Sequence, residues 1–316
     1  ATSKRWLDLV QSQTEDFILR RGLHDHECLE GEETPPMVTP LYCESARLLS
    51  RLASILGKSE KADEYERLAE RIRAAYTNAF LSVGTGVVAS GVQGAQAFAL
   101  ALDMLPQDER MAALNHLVKD IEEQHDGHLT TGIFGTKFML DVLSRDGQVD
   151  TAYRVVNQRD FPSWGNMLAQ GATTLWEHWK FSDNTFSHNH PMFGSVSQWF
   201  YNWLGGIEPA PDAVGFDRIL LHPRFVNELE WVHCRVNTVR GPVSSNWRRT
   251  GGHIALTVEL PVSSTAEVSL PAGSVNAVTE SGRPLGIAEG VEGIARQDGL
   301  VTFRLASGRY RFVIQE

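Results

Sequence analysis

The run Gly171-Ala-Thr-Thr-Leu-Trp-Glu-His-Trp179 places one carboxylate, Glu177, between Trp176 and Trp179, with His178 beside it. A carboxylate activates water or stabilises positive charge at an anomeric carbon, and aromatic rings stack on the apolar faces of a pyranose, so the grouping suits sugar chemistry. The same run also fits a half-buried helix start in which Glu177 is a solvated, dipole-favoured acid. Two further clusters hold ionisable side chains in polar stretches: His24-Asp25-His26-Glu27 and His188-Asn-His190. Imidazoles and carboxylates bind zinc or manganese, but neither cluster has a third or fourth ligand at a characteristic spacing. Hydrogen bonding to hydroxyls is therefore the expected role of Asp25, His26, Glu27 and His190, and no metal or other cofactor is assigned. Five of the eight tryptophans fall between 164 and 203, a density that builds a core, lines a pocket, or both; Trp164, Trp176 and Trp179 are the expected sugar-facing rings.

Other chemistries lack their signatures. The chain has no G-x-S-x-G elbow, no Walker loop and no strand followed by G-x-G-x-x-G, which disfavours serine hydrolases, NTPases and dinucleotide enzymes. A formal net charge of −10 opposes nucleic-acid and anionic-membrane binding, so a neutral partner such as a sugar fits best. Three scattered cysteines, Cys28, Cys43 and Cys234, make neither a disulfide framework nor a zinc spacing. No run of eighteen apolar residues occurs and the N-terminus lacks a signal-peptide core, so no membrane association and a cytoplasmic setting are expected.

The elements that must position these groups change character near Gly205-Gly206. From about residue 4 to 204 apolar residues recur at three- and four-residue spacing, predicting a first helix from Trp6 to Ile18, ended by Arg20-Arg21-Gly22. Further helices are predicted over about 41–56, 60–80, 93–105, 108–124, 131–144 and 149–157, and along the apolar stripe from Met192 to Leu204. Residues 24–36 are too polar and proline-broken for helix or strand, and 161–191 is poor in helical pattern but dense in Trp, His, Gly and Asn. Helices with short turns between them fit an α/α toroid or a solenoid. After Gly206 the pattern becomes period two, as in Ile254/Leu256/Val258/Leu260 and Tyr310/Phe312/Ile314, predicting a small antiparallel β-sandwich. Two domains are expected, 1–206 and 207–316.

Four segments together carry a family resemblance: His128-Leu-Thr-Thr-Gly-Ile-Phe-Gly-Thr136, Pro162-Ser-Trp-Gly165, Gly171 to Trp179, and Ser187-His-Asn-His-Pro-Met-Phe-Gly-Ser-Val-Ser-Gln-Trp199. They resemble, in the same order, the α-L-rhamnosidases of glycoside hydrolase family 78, and the likeness continues through Leu204-Gly-Gly-Ile207 and the Trp247 region. The resemblance implies an (α/α)6 barrel followed by a C-terminal β-sandwich, and inverting hydrolysis of terminal α-L-rhamnose from glycosides. It implies Glu177 as general base and His190 as a contact to sugar hydroxyls. Gly22-Leu-His-Asp-His-Glu27 is similar to the family's substrate-contacting G-x-G-D-W segment, with Asp25 on its Asp and His26 where many members have Trp. The family's general acid lies in an Asp-x-x-x-x-Asp-Glu-Arg-type motif upstream of the matching segment, and residues 1–30 contain none. A partial toroid is therefore expected: the C-terminal part of such an enzyme, one completed by another chain, or one in which a local acid such as Glu27 or Asp160 has taken over. A catalytically silent sugar-binding remnant and a toroid enzyme for another sugar are the competing readings, and uncovered apolar helix faces would favour self-association.

Overall fold

The computed structural model describes residues 2–31, 34–182 and 186–315; Glu32 and Glu33 of the expected 24–36 loop and residues 183–185 of the expected site loop lie outside the described residues. Helices come first and antiparallel sheets follow, and contacts divide the chain into two compact units, Ala1–Ser195 and Val196–Glu316.

In the first unit, α1 (Thr2–Ser12) stops well short of the expected Ile18. The hydroxyls of Ser12 and Thr14 donate to the carbonyls of Leu9 and Gln11, taking acceptors that a continuing helix would use. Asp16 and Phe17 then adopt positive φ and turn the chain, pairing β1 (Thr14–Glu15) with β2 (Ile18–Leu19). Helix α2 (Thr34–Ile55) starts earlier than expected because Pro35 and Pro36 sit in its first turn, where no backbone N–H is required. Its interior Pro40 has no N–H for the Pro36 carbonyl, and the buried hydroxyl of Tyr76 donates to that oxygen instead, at 3.1 Å. Tyr76 belongs to α3 (Ser59–Phe80), which packs along α2.

A short hairpin, β3 (Leu81–Ser82) and β4 (Val87–Val88), leads to α4 (Gln93–Ala101), whose residues Gln93 to Leu100 are all buried. Around α4 pack α2, α5 (Gln107–Lys119) and α6 (Ile133–Arg145), and α7 (Val149–Val156) lies against α6. A six-residue helix, α8 (Trp164–Ala169), forms inside the stretch expected to lack one; Ser163 caps it, its Oγ accepting the Asn166 N–H at 2.9 Å. The last helix, α9 (Ser195–Trp199), continues into a wider turn over Phe200–Leu204.

The second unit holds two sheets. One has the order β13 (Val291–Gln297), β14 (Leu300–Leu305), β10 (Thr265–Pro271), β6 (Arg218–Leu221), β5 (Ile207–Pro209). The other runs β12 (Arg283–Pro284), β11 (Val278–Glu280), β15 (Gly308–Gln315), β9 (His253–Leu260), β8 (Gly241–Thr250), β7 (Trp231–Thr238). Alternating residues from both sheets, among them Trp247, Val258, Val268, Phe303 and Phe312, form one apolar core. One pair departs from the expected antiparallel pattern: β6 and β10 are parallel, Ile219 opposite Ala266. The chain between them passes through β7–β9 of the other sheet, the long crossover that parallel pairing requires.

Candidate active site

The segments carrying Glu177 and His190 are bonded to each other. Glu177 N–H donates to the Ser187 carbonyl and His190 N–H to the Leu175 carbonyl, both at 2.9 Å, while the Thr174 hydroxyl donates to the His188 carbonyl. The thirteen-residue spacing of Glu177 and His190 is thus the spacing of a folded-back loop. A further bond involves the side chain, since Ser187 N–H donates to Glu177 Oε2 at 2.9 Å. On the other oxygen, His26 Nε2 lies 3.5 Å from Oε1. Glu177 is half-buried, its side chain 24% exposed, and its carboxyl is held below the usual range, first by the Ser187 N–H and then by the imidazoles of His26 and His190, against the opposing effect of burial. It is therefore ionised, held by backbone at Oε2 and accessible to a small molecule, as a general base must be. His190 is partly buried, and its solvent-shielded Nδ1 has no hydrogen-bond partner among the described residues.

Asp25 is also brought in by the fold, in another capacity. It is 0% exposed, and its carboxylate accepts three backbone N–H bonds at the start of α6: Gly132 at 2.7 Å, Phe134 at 3.0 Å and Gly135 at 2.8 Å. These are donors that a helix N-terminus leaves unpaired, and the helix dipole favours an anion there. Burial nonetheless outweighs the three donors and pushes the Asp25 carboxyl up to about 6. Gly132 and Gly135 are explained by this clamp: a Cβ on Gly132 would lie 2.1 Å from the His26 carbonyl, and one on Gly135 2.1 Å from Asp25 Oδ2. The loop is tied down further by Ile133 N–H to the His26 carbonyl and Leu29 N–H to the Thr130 carbonyl, both at 2.8 Å. Asp25 therefore holds His26 and Glu27 in place, and its own oxygens face backbone where a sugar contact was expected.

The three tryptophans divide similarly. Trp179 is fully buried, donating its Nε1–H to the Thr131 carbonyl at 2.8 Å and packing on Phe193 and Trp164 with centroids 3.9 and 5.1 Å away. Trp176 is 3% exposed and stacks on His188, 4.9 Å between centroids. Both rings spend their faces on protein, so the stacking expected of them is internal. Trp164 is only partly buried and borders a cavity of about 280 Å³ with Thr173, Thr174 and Leu175.

Two participants escaped the sequence reading. Ser187 acts through its backbone, which no residue pattern marks. His178 Nε2 lies 3.4 Å from Glu27 Oε2, and its adjacency to Glu177 in the Trp-Glu-His-Trp run was the available signal. Among the described residues no three His, Cys, Asp or Glu side chains are arranged to hold a metal. Asp160 is 79% exposed and bonded at 2.8 Å to His128 Nε2.

Comparison with known proteins gives the site a context. The model of the bacterial alpha-L-rhamnosidase 6 hairpin glycosidase domain matches residues 1–204, and that of the bacterial alpha-L-rhamnosidase C-terminal domain matches residues 206–283. An alpha-L-rhamnosidase of Streptomyces avermitilis is 36% identical over 98% of this chain, which spans 30% of that protein. The solved structure of the S. avermitilis enzyme complexed with L-rhamnose superimposes with a TM-score of 0.89 at 32% identity, covering 99% of this chain and 30% of the other. The alpha-L-rhamnosidase structure from "Dictyoglumus thermophilum" also gives 0.89, at 31% identity, covering 99% of this chain and 36% of that one. The chain thus spans about a third of the length of the relatives it matches, and it belongs to the bacterial alpha-L-rhamnosidase family.

Proposed function

We propose that residues 1–206 belong to an (α/α)6-type toroid and residues 207–316 to a β-sandwich, and that the chain serves inverting hydrolysis of terminal α-L-rhamnosyl residues from glycosides, with Glu177 as general base. The observation that carries this reading is the pair of bonds between Glu177 and Ser187, which fixes a half-exposed, ionised carboxylate beside His190. In the reaction, Glu177 takes a proton from water as the water attacks the anomeric carbon. Inversion also needs an acid to protonate the leaving oxygen, with the two carboxyls about 6.5–9.5 Å apart. His190, which acts on Glu177, and Trp164, beside its cavity, are suited to contact the sugar. Asp25, Trp176 and Trp179 serve the site from beneath it.

The test is hydrolysis of an aryl α-L-rhamnoside, with the anomer released followed by proton NMR. Glu177→Gln is expected to lower turnover about 100-fold or more, and the first product should be the β-anomer. Undiminished turnover in Glu177→Gln rejects the assignment. Calorimetric binding of rhamnose by a chain with no turnover supports the silent sugar-binding alternative.

A further inference from the structure

The loop clamped by Asp25 places groups against Glu177 that its role as base does not explain. His26 Nε2 lies 3.5 Å from Glu177 Oε1 and 3.3 Å from Glu27 Oε1. A single ring nitrogen close to two carboxylate oxygens is attracted to both only when it carries a proton. The far oxygen of Glu27 is met by His178 Nε2 at 3.4 Å. The other nitrogen of that ring, Nδ1, accepts the Lys180 N–H at 2.9 Å, so the neutral ring carries its proton on Nε2, the nitrogen nearer Glu27. His178 is held flat on Phe186, with centroids 4.7 Å apart and planes 16° from parallel. The Glu27 side chain is only 12% exposed, so its charge is answered by these two imidazoles more than by water.

We propose that His26, Glu27 and His178 form a positioning chain for Glu177, in which His178 orients Glu27, Glu27 orients His26, and His26 fixes the oxygen of Glu177 that Ser187 leaves free. This rests on Glu177 being the base. A water-activating carboxylate must be held in one rotamer, and its two oxygens here have one anchor each: backbone from its own paired loop, imidazole from the distant loop. His26 thereby serves the carboxylate and not a sugar ring. Among the described residues, the titratable groups acting on Glu177 are His26 from that loop and His190 from the paired segment, with Glu27 one contact further through His26 and His178 beyond Glu27.

The arrangement has an electrostatic signature that packing alone does not produce. In the full chain labelled with ¹³C-glutamate, the Glu177 carboxyl resonance is assigned by its loss in Glu177→Gln and titrated. His26→Asn removes the shared donor, and the Glu177 midpoint is expected to rise by about half a pH unit or more. Glu27→Gln removes the competing carboxylate and leaves the His26 proton to Glu177, so the midpoint is expected to fall. Opposite signs support the chain; shifts of the same sign, or none, overturn it. Should either variant fail to fold, the ¹⁵N shift of His26 Nε2 in the unaltered protein decides: a protonated Nε2 at pH 7 supports the proposal and an unprotonated one overturns it. None of these measurements uses substrate, so they can fail while Glu177→Gln still abolishes turnover, and the two readings stand or fall separately.

Discussion

Asp25 and Glu177 are both acids set beside histidines in polar stretches, and the fold treats them oppositely. Asp25 is sealed from solvent with three N–H donors on its oxygens, and its acidity is weakened to about 6; Glu177 is half-exposed with one N–H donor, and its acidity is strengthened. A raised carboxyl next to a lowered one is the usual mark of an acid–base pair. Here geometry excludes that assignment, because an acid must reach the leaving oxygen and the Asp25 carboxylate is enclosed by the first turn of α6. The comparison shows that access and donor count separate an enclosed carboxylate from an open one, where a shifted acidity alone does not.

The contrast breaks most sharply on substitution. Asp25→Ala leaves three backbone N–H groups without their acceptor in a closed site, costing roughly 3–6 kcal/mol and lowering Tm by about 10 °C or more. A melting curve within a few degrees of the unaltered protein would mean that the clamp holds nothing. Glu177→Gln is expected to do the reverse, leaving Tm within about 2 °C while removing about 100-fold or more of aryl rhamnoside turnover. A large loss of stability in Glu177→Gln would make this carboxylate a second clamp and erase the distinction.

A smaller effect follows from pH. The folded Asp25 carboxyl titrates at about 6 against an ordinary 3.8, so the folded protein retains this proton across a range in which the unfolded chain has lost it. Folding binds the proton more tightly, and the stability this contributes is present below pH 4 and is lost as pH rises through 6. At about 1.4 kcal/mol per pH unit the loss amounts to roughly 3 kcal/mol. Denaturant unfolding of the unaltered protein and Asp25→Asn at pH 4, 5, 6 and 7 isolates this contribution, and the advantage of the unaltered protein should shrink with rising pH. If it grows instead, the three N–H donors outweigh burial and Asp25 resembles Glu177 in sign.

Much of this was legible in the sequence, for identifiable reasons. Glu177 and His190 were legible as a pair because their segments are close in sequence and bonded directly, so one motif contained the contact. The apolar face of β9 was legible because period-two alternation states which side is buried. The same alternation says nothing about neighbours, so the parallel pairing of β6 with β10 was not visible. Asp25 was misjudged because its partners lie more than a hundred residues away in backbone amides, and an acid among histidines looks solvated until the segment that covers it is known. The internal packing of Trp176 and Trp179 was hidden for the converse reason: a tryptophan beside a carboxylate has the same sequence whether its face meets a sugar, His188 or Phe193.

The smallest expected effect concerns Asp160, a local carboxyl that the sequence left open as a proton donor. A general acid must hold its proton near the working pH. Asp160 does the opposite: the hydrogen bond from His128 Nε2, at 2.8 Å, favours its ionised form, and its carboxyl lies below the ordinary range. It is 79% exposed, so the pairing is screened by water and contributes little to stability. Asp160→Asn should therefore change Tm by no more than about 2 °C and leave rhamnoside turnover within about twofold, far from the loss expected at Glu177. A tenfold fall in turnover at an unaltered Tm would place Asp160 with Glu177 among the reactive carboxylates, and would require the His128 contact to break when substrate binds.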